Sequence, residues 1–269
     1  METLQMPDRN LDYEKNAQQI SKWIWDSVEN AWVEWLVMWV SWWVDSAVVS
    51  TLSAMSWKAL TVLELPIHQR SDEVSRAKEH IEWLQANFSN VSSQIIDLTD
   101  VYEAMLTAQY DWTSEDNEYL ANVNLRSRLR AAQLYSTANR KNSLVVWTGN
   151  KVEDYGIWFF TKYWDWAVDI SPIWELYKSE VYKLWTQLWI NNNILEARPT
   201  DWLHPDGATD EDQIWASYNE LEWAMVEYDT WKRIKDFKWR AQEVMKIYTW
   251  RHEWSSHKMM MPPVFKVEE

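Results

Sequence analysis

The chain has 269 residues, 47% of them hydrophobic, with no cysteine and a formal charge of −15. That length holds one large domain or two small ones, the missing thiols exclude disulfides, thiolate metal sites and cysteine nucleophiles, and the acidity argues against a nucleic-acid partner. No apolar run reaches the roughly 18 residues of a membrane span. Met1 to Lys15 lacks the basic start and apolar stretch of a secretory leader, so the chain reads as cytoplasmic and without a membrane partner.

Taken in order, Tyr13, Ala17, Ile20, Ile24 and Val28 recur at helical spacing and predict an amphipathic helix over 13–30. Leu36 to Val40 reads as a buried parallel strand, Ser41 to Ser46 as a loop, and Ala47 to Met55 as a helix. A second strand is expected over 59–65, stopped by Pro66, then a charge-rich helix over 71–87 and a third strand over 94–98. A long helix is expected over 116–140, carrying Arg126, Arg128 and Arg130. A fourth strand follows at 143–146, with helices over 174–189 and 212–228, and an apolar tail from 259. Strands alternating with helices predict an α/β fold, a parallel sheet with helices on both faces. Ligands bind such sheets outside the carboxyl ends of the strands, where loops 41–46 and 147–150 should lie.

The first of these loops lies within LVMWVSWWVDSAVV (36–49), a strand, a turn and a helix start. With glycine at Trp42 and Trp43 the turn would read SGGVDS. Glycines there let backbone N–H groups approach phosphate oxygens, and a helix N-terminus favours the anion. An aspartate at that point is a hard oxygen ligand for magnesium. Taken alone, Asp45 and Ser46 read equally well as ordinary helix-start residues. Likewise Arg126, Arg128 and Arg130 alone could be a solvated helix face. His80 and His252 read as surface residues, and His68, in PIHQR, is a candidate nucleotide contact.

The chain holds 24 Trp and only 3 Gly, where average usage would give roughly 19 glycines. The glycine deficit is close to the tryptophan excess. With glycine at Trp147, Trp158, Trp164 and Trp166, the segment from 147 reads GTGNKVEDYGIGFFTKYGDGAVD. That segment, SGGVDS, PIWELYKSEVYKLW (172–185), NLRSRLRAAQLYSTAN (124–139) and SSHKMMMPPVF (255–265) together resemble the ammonia-dependent NAD synthetases. These are ATP pyrophosphatases of the SGGxDS type, and the likeness runs over roughly 13–266.

The resemblance implies an adenine nucleotide alpha-hydrolase-like, Rossmann-like fold, with 1–269 forming one synthetase domain. It implies ATP- and Mg²⁺-dependent amidation of deamido-NAD to NAD through an adenylate, in a homodimer. Glutamine-using relatives carry an extra amidase domain with a thiol, for which this chain has neither length nor cysteine, so ammonia is the expected donor. By the same resemblance, Ser41, Trp42, Trp43, Val44, Asp45, Ser46, Thr148 and Thr200 would bind ATP, and Asp45 and Glu153 would hold Mg²⁺. Arg126, Lys162, Asp165, His257 and Lys258 would bind the dinucleotide, and Asp45, Lys162 and Lys178 would be catalytic. Segments 82–90 and 202–212 are expected to order over substrates. Alternatives are another amide ligase of the same superfamily, or a non-catalytic homologue whose phosphate loop is blocked.

The tryptophans cluster at turns and motif positions rather than along a helical face. One reading is a decoding difference: UGA is translated as tryptophan in one variant code and as glycine in another, and the three surviving glycines would come from ordinary glycine codons. Indoles in such turns are expected to strain the backbone and to crowd the phosphate pocket.

Overall fold

The computed structural model describes residues 4–41, 43–69, 71–108, 115–162, 164, 168–190, 211, 214–258, 260 and 265. Four parallel strands, β1 (Trp35–Trp39), β2 (Ala59–Glu64), β3 (Val91–Ile95) and β4 (Ser143–Val145), stand in the order β3-β2-β1-β4. The strands carry α1 (Tyr13–Asn30), α2 (Val44–Met55), α3 (Ser71–Asn87), α4 (Thr99–Ala108), α5 (Glu115–Lys141) and α6 (Lys178–Gln187). Two further helices, α7 (Tyr218–Asp229) and α8 (Trp239–Ser255), pack beside them.

Strand alternation sends successive side chains to opposite faces, and β1 shows the result. Leu36 and Met38 join Ile24, Val48, Leu52, Leu84, Val181 and Leu184 in one core, so α1, α2, α3 and α6 cover that face. Val37 joins Leu63, Tyr102, Leu134, Ala138 and Val145 in a second core, under α4 and α5. Helices therefore cover both faces, as expected. A third core joins α7 and α8 to the turn at Lys151–Gly156 through Val152, Leu221, Met225, Val244 and Tyr248.

Several boundaries differ from the sequence reading. β3 begins three residues earlier than expected: Val91 pairs with Leu60, and the polar Ser92, Ser93 and Gln94 suit an edge strand half open to solvent. Residues 99–108 form α4, whose start is capped by the Asp97 carboxylate accepting from the Thr99 N–H at 2.8 Å. The expected helix over 174–189 begins only at Lys178, after turns at 172–175, and the helix expected from 212 begins at Tyr218. α8 was not foreseen. Its buried residues are Val244, Met245 and Tyr248, but Trp250 and Trp254 point to solvent, so no single apolar face shows in the sequence.

Segment 82–90 is the end of α3 and the turn into β3, where Asn90 Nδ2 donates to the carbonyls of Ala54 and Lys58. In a parallel sheet that edge lies opposite the carboxyl ends of the strands, so the segment cannot close over a site there. Segment 202–212 lies outside the described residues apart from Glu211. His80 is not a surface residue: it is fully buried, 2.8 Å from Ser50 Oγ. Nor is His252, whose Nδ1 lies 2.7 Å from the Gly156 carbonyl and whose ring stacks on Trp158 and Tyr248.

Ten non-glycine residues have positive φ among those described, and seven are tryptophan: Trp32, Trp57, Trp158, Trp189, Trp215, Trp231 and Trp239. Four follow the last residue of a helix, where a left-handed glycine ends many helices. Trp32, Trp57, Trp189 and Trp231, with φ of 57, 61, 55 and 66°, stand directly after the caps of α1, α2, α6 and α7. The Val33 and Lys232 amides donate back to the Val28 and Glu227 carbonyls, completing the turns a glycine normally completes. All but Trp158 are exposed, so at those six the cost is backbone strain and not the overpacking expected from bulk alone. Left-handed backbone costs a side-chain-bearing residue roughly 1–2 kcal/mol.

Trp32→Gly and Trp189→Gly should each raise stability by about 1 kcal/mol in urea unfolding. Trp25→Gly, in the interior of α1 and beneath the Lys58 ammonium, should lower it by a similar amount. Burial pushes His80 down from 6.5 to about 3, so between those values the unfolded chain binds the extra proton and stability falls as pH falls. His80→Gln should flatten that acid-side slope in melts taken from pH 7 to pH 4.

Candidate active site

β1 sits at the point where the chain order reverses: β2 and β3 lie to one side of it and β4 to the other. The loops leaving β1 and β4 therefore part from each other and open a crevice, the place where open α/β sheets bind ligands. A cavity of about 590 Å³ fills it, with Ser41, Trp43, Asp45 and Ser46 on one wall and Trp147, Thr148, Gly149 and Glu153 on the other.

The first wall is closed on itself. Ser41 Oγ donates to Ser46 Oγ at 3.0 Å and accepts from the Trp43 N–H at 3.3 Å. Ser46 Oγ lies 2.9 Å from the carbonyl oxygens of both Ser41 and Trp43 and can serve one at a time. Asp45, 4% exposed, stands in the first turn of α2. In the second wall Gly149 has no room for a side chain: a Cβ would come within 1.6 Å of Asp154 Oδ2. Beyond it Asn150 accepts from the N–H groups of Val152 and Glu153 at 3.1 and 3.2 Å, starting the π-type turn Lys151–Gly156.

The two walls meet at Lys178, the first residue of α6 and 1% exposed. Its ammonium donates to Asp45 Oδ2 and, at 3.0 Å, to Glu153 Oε1. Asn150 Nδ2 donates to Asp45 Oδ1 at 3.0 Å, and the Tyr218 hydroxyl donates to Glu153 Oε1 at 2.7 Å. Burial pushes the Asp45 carboxyl up, with Glu153 adding to it, against the pull of Lys178. At Glu153 burial acts in the same sense but is outweighed by Lys178 and Tyr218, which hold it below the usual carboxylate range. Burial alone would lower Lys178, yet the two carboxylates hold its ammonium well above the ordinary lysine value. Two carboxylates facing one ammonium leave the cluster one cation short.

The cavity lining also holds four basic residues, Arg126, Arg130, Arg251 and Lys258. Arg130 is buried and donates through Nε to the Leu65 carbonyl at 3.0 Å, and burial pushes it down to about 10. The Arg126 guanidinium sits over the Tyr102 ring, and its buried Nε has no hydrogen-bond partner among the described residues. His68 also lines the wall, 2.5 Å from Glu103.

Thus Ser41, Trp43, Asp45, Ser46, Arg126, Thr148, Glu153 and Lys258 share one cavity, and Lys178 joins two of them from outside its lining. Val44, Lys162 and His257 are not part of that lining. Lys162 Nζ donates to the His257 carbonyl at 3.1 Å. Trp42, Asp165 and Thr200 lie outside the described residues. Asn150, Tyr218, Arg130 and Arg251 were not singled out as site residues from sequence. Only Asn150 left a signal, since Asn150-Lys-Val-Glu153 has the spacing of a helix-start capping box.

A profile of the NAD synthase family matches residues 16–262. The chain belongs to that family. It is 31% identical to the NH(3)-dependent NAD(+) synthetase of Methanosarcina acetivorans over 258 residues, covering 94% of this chain and 98% of that one. Against the enzyme of the same name from Alkaliphilus oremlandii it is 32% identical, again over 94% and 98% of the two chains. Among solved structures, the NMN synthetase of Francisella tularensis superposes with a TM-score of 0.83 at 28% identity, covering 96% of this chain and all of that one. The adenine nucleotide alpha-hydrolase-like fold of the NAD synthases follows.

Removing the shared cation tests the geometry. Lys178→Met should destabilise the protein by about 3 kcal/mol or more in urea unfolding, because it strands two carboxylates that are largely out of water. Lys183→Met, which breaks an exposed pair with Asp8, should cost no more than about 1 kcal/mol.

Proposed function

We propose that this chain is a carbon–nitrogen ligase that amidates deamido-NAD to NAD with ATP and ammonia, as a single synthetase domain over 1–269 in a cytoplasmic homodimer. One observation carries the reading: Asp45 and Glu153, bonded to the same Lys178 ammonium, line a single cavity together with Arg126, Arg130, Arg251 and Lys258. A chain of net charge −15 repels nucleotides at long range, so such a local cluster of cations supports a polyanionic ligand.

The residues also fit Mg²⁺. No group of three or more metal-ligating side chains exists among the described residues, but Mg²⁺ bound with a nucleotide commonly takes only one or two carboxylates, and phosphate oxygens supply the rest. Asp45 and Glu153 would be those two, where the cluster already lacks a cation. The ion, when bound, would neutralise charge on the ATP phosphates.

In the proposed reaction the nicotinate carboxylate attacks the α-phosphorus of ATP, pyrophosphate leaves, and ammonia displaces AMP from the adenylate. No side-chain nucleophile is needed. The Ser41–Ser46 turn would exchange its internal hydrogen bonds for phosphate oxygens, and Lys178 would keep the carboxylates oriented. Arg126, with its unpartnered Nε, would bind the dinucleotide, and Lys162, Asp165, His257 and Lys258 would enclose it. The catalytic power of such a site lies in positioning and charge stabilisation.

Incubation with ATP, Mg²⁺, ammonium and deamido-NAD should yield NAD, AMP and pyrophosphate in equal amounts, and formation of ADP and phosphate would contradict the adenylate route. Because the Francisella relative is an NMN synthetase by name, nicotinate mononucleotide belongs in the same assay; a higher kcat/KM for it would move the substrate from dinucleotide to mononucleotide. Trp43 lines the phosphate wall with its ring 5.5 Å from the Lys178 ammonium. Trp42→Gly with Trp43→Gly should therefore tighten ATP binding about tenfold in calorimetry, roughly 1.4 kcal/mol.

A further inference from the structure

We propose that Asn150 is a positioning residue, fixing the separation of Asp45 and Glu153 so that one divalent cation can use both. The inference rests on the metal reading given above. Asn150 is fully buried and caps the turn that carries Glu153, on the wall opposite Asp45. Its side-chain carbonyl accepts from the Val152 and Glu153 N–H groups, which fixes the backbone that carries Glu153. Its side-chain NH₂ donates to Asp45 Oδ1, fixing the other carboxylate from the opposite wall. The two functions come from the two ends of one planar amide, so the side chain acts as a rigid spacer between the loop after β4 and the start of α2.

Lys178 does not make this bond redundant. It attracts both carboxylates, but an ammonium on a flexible four-carbon stem sets no angle between them, whereas a planar amide does. Partners that orient metal ligands without touching the metal typically govern affinity by 10–100-fold. Asn150 also leaves one lone-pair direction of Asp45 Oδ1 unassigned, since a carboxylate oxygen accepts more than one bond.

Two substitutions separate positioning from folding. Serine is a good helix-start residue whose hydroxyl can still accept from the Val152 and Glu153 amides, but it is too short to reach Asp45. Asn150→Ser should therefore keep the melting temperature near that of the parent while Mn²⁺ binding to the ATP-loaded protein, read by electron paramagnetic resonance, weakens about tenfold. The Mg²⁺ concentration for half-maximal turnover should rise by a similar factor, with kcat at saturating Mg²⁺ and the KM for deamido-NAD little changed. Asn150→Ala should weaken the metal equally and also lower the melting temperature. All proteins compared would carry Trp42→Gly and Trp43→Gly. Mn²⁺ affinity within twofold of the parent in Asn150→Ser would overturn the role of Asn150 alone. No Mn²⁺ binding by the parent would overturn the metal reading and this inference together.

Discussion

The ammonium of Lys178 holds the molecule's functional half in place. It is almost fully buried, and its two partners come from the start of α2 and from the turn after β4. Burying such an ion is costly unless good geometry and further hydrogen bonds compensate it. Here the compensation comes from three segments at once, because Asn150 and Tyr218 complete the coordination of the two carboxylates. Tyr218 opens α7, so the same network ties the α7–α8 core to the sheet. A carboxylate pair that could serve a cation is thus kept in register by one already built into the chain.

Charge is distributed on two scales. The chain as a whole is strongly acidic, while the guanidinium groups of Arg126 and Arg130 line the cavity without a carboxylate bonded to either among the described residues. The net negative charge sets the long-range field; the local cations act on what enters the crevice. The two scales do not conflict, because screening limits each to its own range.

Much of this was legible in the residues. The apolar run from Leu36 to Val40, the apolar spacing of α1 and the alternation of strands with helices carry the parallel sheet, and the loop after β1 was found from its two serines and aspartate. Asp45 and Glu153 were grouped by motif likeness, and both accept from the Lys178 ammonium. What stayed hidden had physical reasons. β3 is an edge strand whose middle residues, Ser92, Ser93 and Gln94, are polar, and α8 has indoles on its solvent side that mask its buried stripe. His80 looked like a surface residue because a charge-rich helix surrounds it, yet its position faces Ser50 across the α2–α3 contact. Arg130, Arg251 and Tyr218 reach the site only through tertiary packing, which no local pattern encodes.

The exposed tryptophans also bear on how one molecule meets another. Trp32, Trp57, Trp189, Trp215, Trp231 and Trp239 all project into solvent. Scattered apolar side chains are tolerated on a surface, but large ones that project from it are the first to touch. Between two copies of the chain, mutual repulsion acts over a distance set by ionic strength, about 8 Å near physiological salt, whereas indole contact acts only on touching and does not weaken with salt. Added salt therefore removes the barrier and leaves the adhesion, so the colloidal stability of the chain should decline as ionic strength rises, the reverse of salting-in.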